Sequence, residues 1–553
     1  MSLFELENFR SHFPILATKI NDQAIVYFDN GATTQKPATV IDTEKEYYQK
    51  YNANVHRAAH HLSAQATNAF EASRTNVQQF INAKFSHEII WTKGTTESIN
   101  LVAHSWGMKN LTFGDEIVLS VTEHHANIVP WQIVAEKTGA VIKVLEIDST
   151  GKIDEGKISA AITINTKIVC CAHISNVIGK INPIDRIIAR AKSVGAKTLI
   201  DGAQAIAHIP VDVQQLDCDF YVFSAHKMYG PTGVGVLYGK TAELEAMPVY
   251  QTGGEMIKRV SFSGTTFNEL PFKFEAGTPN IAGVIAFSAA IDFINKYRLN
   301  RCDNHKQLLT SYCFEKLSSV SEIKFLVNDK PDIPLFSFVI ENHHQQDIAS
   351  HLDAAGIAVR VGHHCAMPLM EYLTLSGCVR VSLAAYNSVE EVDYFIHILK
   401  LILNNTYNEL EVTEVIDPKN ESCEVDAILA KFAQSKSWDA KHREIMLLGK
   451  VLPRMPKALR SDETLIAGCE SAAWLSISKS SSDIFSFSAD SDAKIIRGLL
   501  VIVLAAFNNK TAQQITDFDI EQYFKALGLI QHLSPSRGNG LLAIVRKIRQ
   551  AVL

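Results

Sequence analysis

The chain of 553 residues lacks several features that would narrow its class at once. It has nine cysteines but no Cys-x-x-Cys pair, and they are widely scattered. An odd, sparse set of this kind argues against a disulfide framework and for free thiols in a reducing cytoplasm. No apolar run is long: the longest, "LLVIVLAAF" at 499–507, is about half of what a bilayer-spanning helix needs. The start, "MSLFELENFRSHFP", has no basic stretch followed by an apolar core, so no secretory signal is expected. There is no basic excess either. With 53 Lys and Arg against 59 Asp and Glu, the net charge is -6, which speaks against a dedicated nucleic-acid surface. Internal repeats and low-complexity tracts are absent. What remains is 47% hydrophobic and 20% charged, the balance of a soluble globular protein. Its length calls for roughly two to four domains.

Residues 85–240 alternate short apolar runs with longer amphipathic stretches, as βα units on a mainly parallel sheet do. The runs are "EIIW" (88–91), "EIVLSV" (116–121), "KIVCCAHI" (167–174), "KTLI" (197–200), "FYVFS" (220–224) and "GVGVLYG" (233–239). Polar residues of chemical character follow most of them: Gly94-Thr95-Thr96, then His124, Asn176, Asp201 with Gln204, and Ser224, His226 and Lys227. Ligands of open α/β sheets bind at the carboxyl ends of the strands, so this repeated placement marks a site. Smaller helical and strand patterns resume from about 290 and end in the apolar-periodic "EEVDYFIHILKLIL". The segment 404–426 is polar and acidic and reads as a linker. Beyond it, "SDAKIIRGLLVIVLAAFNN" (491–509) has helical spacing, with Ser491-Asp492 as its capping signal. The expected domains are 1–403 and 427–553, joined by 404–426.

Lys227 just past a strand and Asp201 at the end of another form a telling pair. An unpaired carboxylate there is expensive to bury, and a cationic ring nitrogen would compensate it. A lysine able to form a Schiff base plus an Asp for a pyridinium nitrogen is what pyridoxal phosphate demands. Gly94-Thr95-Thr96-Glu97 opens an expected helix whose free N–H groups and positive dipole end suit a phosphate, although a plain capping box would look the same. Ser224 and His226 add polar groups, and His124 is placed to lie across a ring face. The neighbouring "GHHCA" does not read as a zinc site, because adjacent side chains on extended chain point to opposite faces and no fourth ligand lies near. Cys170, Cys171, Cys218, Cys302 and Cys313 fall in or near apolar runs and read as packing.

Together "GTTESIN", "EHHANIVPWQ", "DGAQA", "FSAHKMYGPTGVGVLYG", "FEAGTPN" and "RVGHHCAMPLM" resemble the cysteine desulfurases of the SufS/CsdA branch over roughly residues 1–403. The resemblance implies an α/β architecture, the pyridoxal-phosphate-dependent transferase fold type I, with a large, mainly parallel domain and a small α/β domain. It also implies the roles. Lys227 holds the cofactor covalently, Asp201 pairs with its ring nitrogen, and Gln204 contacts its ring hydroxyl. His124 stacks on the ring, while Thr95, Thr96, Ser224 and His226 hold the phosphate. Cys365 is the nucleophile that takes sulfur from L-cysteine, and Arg380 grips the substrate carboxylate, with Asn176 and Arg360 as secondary contacts. Thr278 reaches the site from a second subunit, so a homodimer is implied. His56 and Arg57 match a motif lining the site, with no role assigned. Selenocysteine is a rival substrate on the same fold, and Gly31 stands where relatives often carry Ala.

The final 125 or so residues carry a second resemblance. "WDAKHREIMLLGKVLPRMP", "IAGCESAAWL", "FSADSDAKIIRGLL" and "LGLIQHLSPSRGNGLLAIVRKIR" are similar, in order, to the SufE-type sulfur acceptors, a small α+β module. It implies that Cys469 accepts the sulfur held by Cys365, for iron–sulfur scaffold proteins further on. A tether of about twenty residues gives two such sites a mutual concentration in the millimolar range. Cys378 and the linker's Cys423 have no assigned role.

Overall fold

The computed structural model describes residues 3–20, 23–300, 304–404, 424–435, 438–456, 459–466, 471–480, 483–529, 533 and 535–552. The expected linker and Cys302, Cys423 and Cys469 lie, wholly or almost wholly, outside them. The chain divides into two compact units, one of Met1–Val339 with Ala355–His397, the other of Ile340–Ala354 with Ile398–Leu553. No helix among the described residues is long and apolar enough to cross a membrane.

The first unit is built on seven strands: β1 (Ile89–Thr92), β2 (Glu116–Ser120), β3 (Val141–Leu145), β4 (Thr166–Ala172), β5 (Lys197–Asp201), β6 (Phe220–Ser224) and β7 (Gly235–Gly239). Their order is β1-β7-β6-β5-β4-β2-β3. Neighbours from β6 to β3 run parallel, and β7 alone is antiparallel to both its neighbours. Strands such as "TKIVCCA" are apolar on both faces because helices cover both faces of the sheet. Helix α2 (Ile184–Ser193) shows how the covering is encoded. Ile184, Ile187, Ile188 and Ala191 are buried at i, i+3, i+4 and i+7, and each isoleucine contributes about 1.5–3 kcal/mol of burial. Strand β3 has no counterpart among the six sequence runs. It is the sheet's edge, and Val141, Lys143 and Val144 are exposed, so neither a continuous apolar run nor a buried alternation announces it.

A four-stranded sheet supplies the second wall of the site. It comprises β8 (Ile323–Phe325), β9 (Leu335–Ile340), β10 (Arg360–Gly362) and β11 (Cys378–Ser382), in the order β8-β9-β11-β10, and its β9–β11 and β11–β10 pairs are antiparallel. Its register sets Arg360 directly opposite Arg380.

The C-terminal part of the second unit is a three-stranded sheet, β12 (Ala473–Lys479), β13 (Ile484–Ser491) and β14 (Lys510–Thr511), packed with helices. Helices α3 (Trp438–Val451) and α4 (Lys494–Phe507) cross at glycine. A Cβ on Gly498 would lie 1.8 Å from the Ile445 carbonyl oxygen, and one on Gly449 would lie 2.4 Å from that of Lys494. The backbones touch where a side chain would part them. The fully buried Asp490 accepts from Arg497, from Arg460 at 2.9 Å and from the Met455 amide at 3.1 Å, so its charge is not left unpaired. The expected helix start at Ser491-Asp492 needs correction. Ser491 ends β13, where its hydroxyl donates to the Ala472 carbonyl, and Ala493 occupies the cap position without a side-chain bond. The serine's oxygen serves the strand junction first.

Candidate active site

At the carboxyl ends of β2, β4, β5 and β6 lies a cavity of about 200 Å³. Its wall includes Thr95, Thr96, His124, Asn176, Asp201, Gln204, Ser224, His226, Lys227, Arg360 and Arg380. Eleven residues picked out from separate stretches of sequence therefore share one space. Thr278 is exposed and is not part of that wall. His56 and Arg57 also lie off it, paired with Glu71 at 3.0 Å and Glu255 at 2.8 Å.

The floor is electrostatic. Burial lowers the Lys227 amine to about 8; the charge of Asp201 opposes the shift, and the cations of Arg380 and Arg360 add to it. At that value about a tenth of the amine is neutral at pH 7, a far larger share than an ordinary lysine keeps, and a nucleophile or base must be neutral. Asp201 is raised by burial, against the Ala203 amide that it accepts at 2.8 Å and the charge of Lys227. Burial, with Lys227 next, holds His124 down at about 3, so its imidazole is neutral; its Nδ1 accepts from the Ala126 amide. Next to it Glu123 is fully buried, bonded by Ser120, Asn127 and the Ala172 amide and raised by burial to about 7. Glu123 ties the turn that carries His124 to the end of β4. Nothing in the local pattern around Glu123 reveals a partner 49 residues away, so the sequence does not mark it.

One end of the cavity is made for an anion. Helix α1 (Thr95–Val102) begins after Gly94, which has no capping side chain. The Thr95 amide donates to Ser224 Oγ at 2.8 Å, and the Thr95 hydroxyl meets the same oxygen at 2.7 Å. A Cβ on Gly235 would stand 2.3 Å from Gly94 Cα, so β7 can approach this turn only as glycine. The result is a compact group of hydroxyls and N–H donors at a helix start, as phosphate requires.

The other end holds two guanidinium groups opposite each other on β10 and β11. Like charges in that register repel, and only part of the cost is offset. Arg380 reaches Asp29 at 3.1 Å and the Asn176 carbonyl at 2.9 Å, while its buried Nε has no partner. An arriving carboxylate would relieve the repulsion. Asp29, which no local sequence pattern marks, is therefore part of the carboxylate end.

Between β10 and β11 the chain turns through His364 (φ 52°) and Cys365 (φ 57°), both in the left-handed region. Two consecutive side-chain-bearing residues there cost on the order of 1–2 kcal/mol each. The turn is pinned from outside. His125 donates its amide to the Cys365 carbonyl at 2.7 Å and accepts the Met367 amide at 2.9 Å, and Asn176 donates to the His364 carbonyl. Among the six described thiols, Cys365 alone is partly exposed. Cys170, Cys171, Cys218, Cys313 and Cys378 are buried and all raised by desolvation, Cys218 and Cys378 to about 12. These five stay protonated and inert.

Comparison with known proteins gives the family. Residues 26–395 match the family described as aminotransferase class-V, and residues 426–552 match SufE, the Fe-S metabolism associated domain. The probable cysteine desulfurase of Vibrio cholerae is 49% identical over 394 residues, covering 71% of this chain and 97% of that protein. The chain belongs to the class-V aminotransferase family, as a cysteine desulfurase. The cysteine desulfurase of Cronobacter sakazakii is 46% identical over 391 residues, 70% of this chain and 96% of its own. Among solved structures, the desulfurase CsdA of Escherichia coli superposes with a TM-score of 0.68 at 39% identity, covering 73% of this chain and all of that one. The desulfurase's cofactor is pyridoxal phosphate, and the residues present fit it. The buried, raised carboxyl of Asp201 suits a ring nitrogen, the α1 start suits the phosphate, and the lowered amine of Lys227 suits an aldehyde.

Proposed function

We propose that this desulfurase converts L-cysteine to L-alanine with Cys365 as nucleophile and Lys227 as both cofactor attachment and base, and that Cys469 of the SufE domain receives the sulfur next. Bound pyridoxal phosphate supplies an electron sink conjugated to the substrate's Cα. Arg380, with Arg360, holds the substrate carboxylate at the cationic end. Asp201 keeps a proton at the ring nitrogen, and neutral His124 covers the ring face. The phosphate lies among Thr95, Thr96, Ser224 and His226, and Gln204 faces the ring hydroxyl. The neutral amine of Lys227 takes the proton from Cα. The Cys365 thiolate then attacks the substrate sulfur. One S–S bond forms and the Cβ–S bond breaks, its electron pair staying with the substrate; Cβ takes up the proton that the Cys365 thiol gave up, and Lys227 returns its proton to Cα. The balance is L-cysteine plus one enzyme thiol giving L-alanine plus one enzyme persulfide, with no outside oxidant.

The observation that carries this reading is the convergence of Lys227, Asp201, Arg360 and Arg380 on one cavity beside the half-open Cys365 turn. A homodimer in which Thr278 completes the partner's site fits the exposure of that threonine, and the free thiols fit a cytoplasmic location. Iron–sulfur scaffold proteins are the proposed final acceptors, with residues 1–403 and 427–553 as the two working parts. Cys365→Ser tests the assignment. The variant should keep the cofactor's visible absorption yet form alanine from L-cysteine at least about a thousandfold more slowly. Turnover within tenfold of the parent would remove Cys365 from the reaction.

A further inference from the structure

The peptide bond just before Lys227 is held in an unusual way. The carbonyl oxygen of His226 accepts from four donors of one short loop: the Lys36 ammonium at 2.9 Å, the Thr33 hydroxyl at 3.0 Å, the Thr34 amide at 3.0 Å and the Thr34 hydroxyl at 3.2 Å. A carbonyl offers two lone pairs, so four donors represent more hydrogen-bonding power than the group needs for satisfaction. On the far side of Lys227, the Tyr229 amide donates to Thr34 Oγ1 at 2.8 Å. The loop thus brackets the lysine, holding residue 226 by its carbonyl and residue 229 by its amide.

Lys36 itself has the character of a placed residue. Its ammonium also meets the Thr34 carbonyl and Thr33 Oγ1, and no carboxylate lies within ion-pair distance of it among the described residues. Burial lowers it to about 7, so keeping a lysine here costs stability that a neutral side chain would not. Nothing in packing demands an amine at this point, whereas the His226 carbonyl gains its shortest hydrogen bond from it.

We propose that Lys36 is a positioning residue for Lys227, clamping the His226–Lys227 peptide through the His226 carbonyl so that the 227 side chain moves about a fixed backbone. The inference rests on Lys227 being attachment point and base. One side chain that serves both tasks must swing between two positions, and a backbone that shifted by about 1 Å would lose about a hundredfold in rate. Thr33 and Thr34 complete the clamp.

The test uses the full-length holoenzyme with Lys36→Met and Lys36→Arg. The Met variant should keep its cofactor stoichiometry, read from the visible band, and a KM for L-cysteine within about twofold of the parent. Its kcat should fall about tenfold to a hundredfold. The Arg variant, which keeps a charged donor, should recover most of the loss. If Lys36→Met does not fold, Thr33→Val should show the same split with a smaller fall in kcat. An unchanged kcat, or a fall matched by a rise in KM or by cofactor loss and not repaired by Arg, would overturn the clamp. Borohydride reduction of the parent followed by peptide mapping keeps the two claims apart. Cofactor fixed to a residue other than Lys227 refutes the Lys227 assignment, whereas cofactor on Lys227 with an indifferent Lys36 refutes the clamp alone.

Discussion

At the carboxyl ends of β2, β4, β5 and β6 the carboxyls of Asp201 and Glu123 are buried and braced by backbone amides, with His124 and Lys227 beside them. Across the same cavity, between β10 and β11, the chain turns through two left-handed residues and leaves a thiol half open to solvent. The floor uses burial to set protonation: it lowers the amine of Lys227, keeps the imidazole of His124 neutral and raises the carboxyls of Asp201 and Glu123. The turn does the reverse. It accepts backbone strain to keep one sulfur out of the core that buries the other five described thiols. The difference teaches that the two halves of the chemistry, electron storage and sulfur attack, have opposite needs. Electron storage wants a dry, rigid surround, and sulfur attack wants reach and access.

Three experiments probe that contrast. The largest effect should come from the floor. Asp201→Asn removes the carboxylate proposed to hold a proton on the ring nitrogen, and alanine formation should fall about a hundredfold to a thousandfold in a steady-state assay. A fall below threefold would mean that the buried carboxyl is merely structural. Next comes a pH effect. The amine must be neutral to capture an aldehyde, and its folded value of about 8 lies below the ordinary one of about 10.4. Capture of pyridoxal phosphate by apoenzyme, followed by absorbance, should therefore rise about tenfold per pH unit below about 8 and flatten above it. A rate still climbing steadily through pH 10 would show that burial does not tune Lys227. The smallest effect belongs to the carboxylate end. A Cβ on Gly31 would lie 3.2 Å from Arg380 Cζ and 3.3 Å from Leu335 Cδ1, so the guanidinium must give by a few tenths of an ångström. Gly31→Ala should raise KM for L-cysteine about twofold to fivefold and leave kcat nearly unchanged. A change confined to kcat would place Arg380 elsewhere in the reaction.

Much of the floor could be read from residues alone, because each strand of a parallel sheet is an apolar run and the chemistry follows immediately after it. Thr95, His124, Asp201 and Lys227 were legible for that reason. The helix Val389–Leu403 was legible from its apolar period. Other features were not. The edge strand β3 hides its identity by being exposed, and the hairpin Ile257–Ser261 with Gly264–Phe267 is exposed along nearly its whole length. Asp29, Lys36 and Glu123 act through partners 351, 190 and 49 residues away, and no local pattern records such a distance. The stretch "FDNGATTQKP" holds two of the three, yet as a sequence it shows only a turn before a helix. The strain at His364 and Cys365 was equally invisible, since neither residue type announces a left-handed backbone.

The relay itself, from L-cysteine to Cys365 and on to Cys469, is tested most directly by mass spectrometry of the holoenzyme after a single exposure to sulfur-labelled L-cysteine, with persulfides capped before digestion. The account predicts one additional labelled sulfur on the peptide carrying Cys365 and, later, on the peptide carrying Cys469, with Cys365→Ser leaving both bare. Label that fills Cys365 and never reaches Cys469, or that reaches Cys469 in Cys365→Ser, would contradict it.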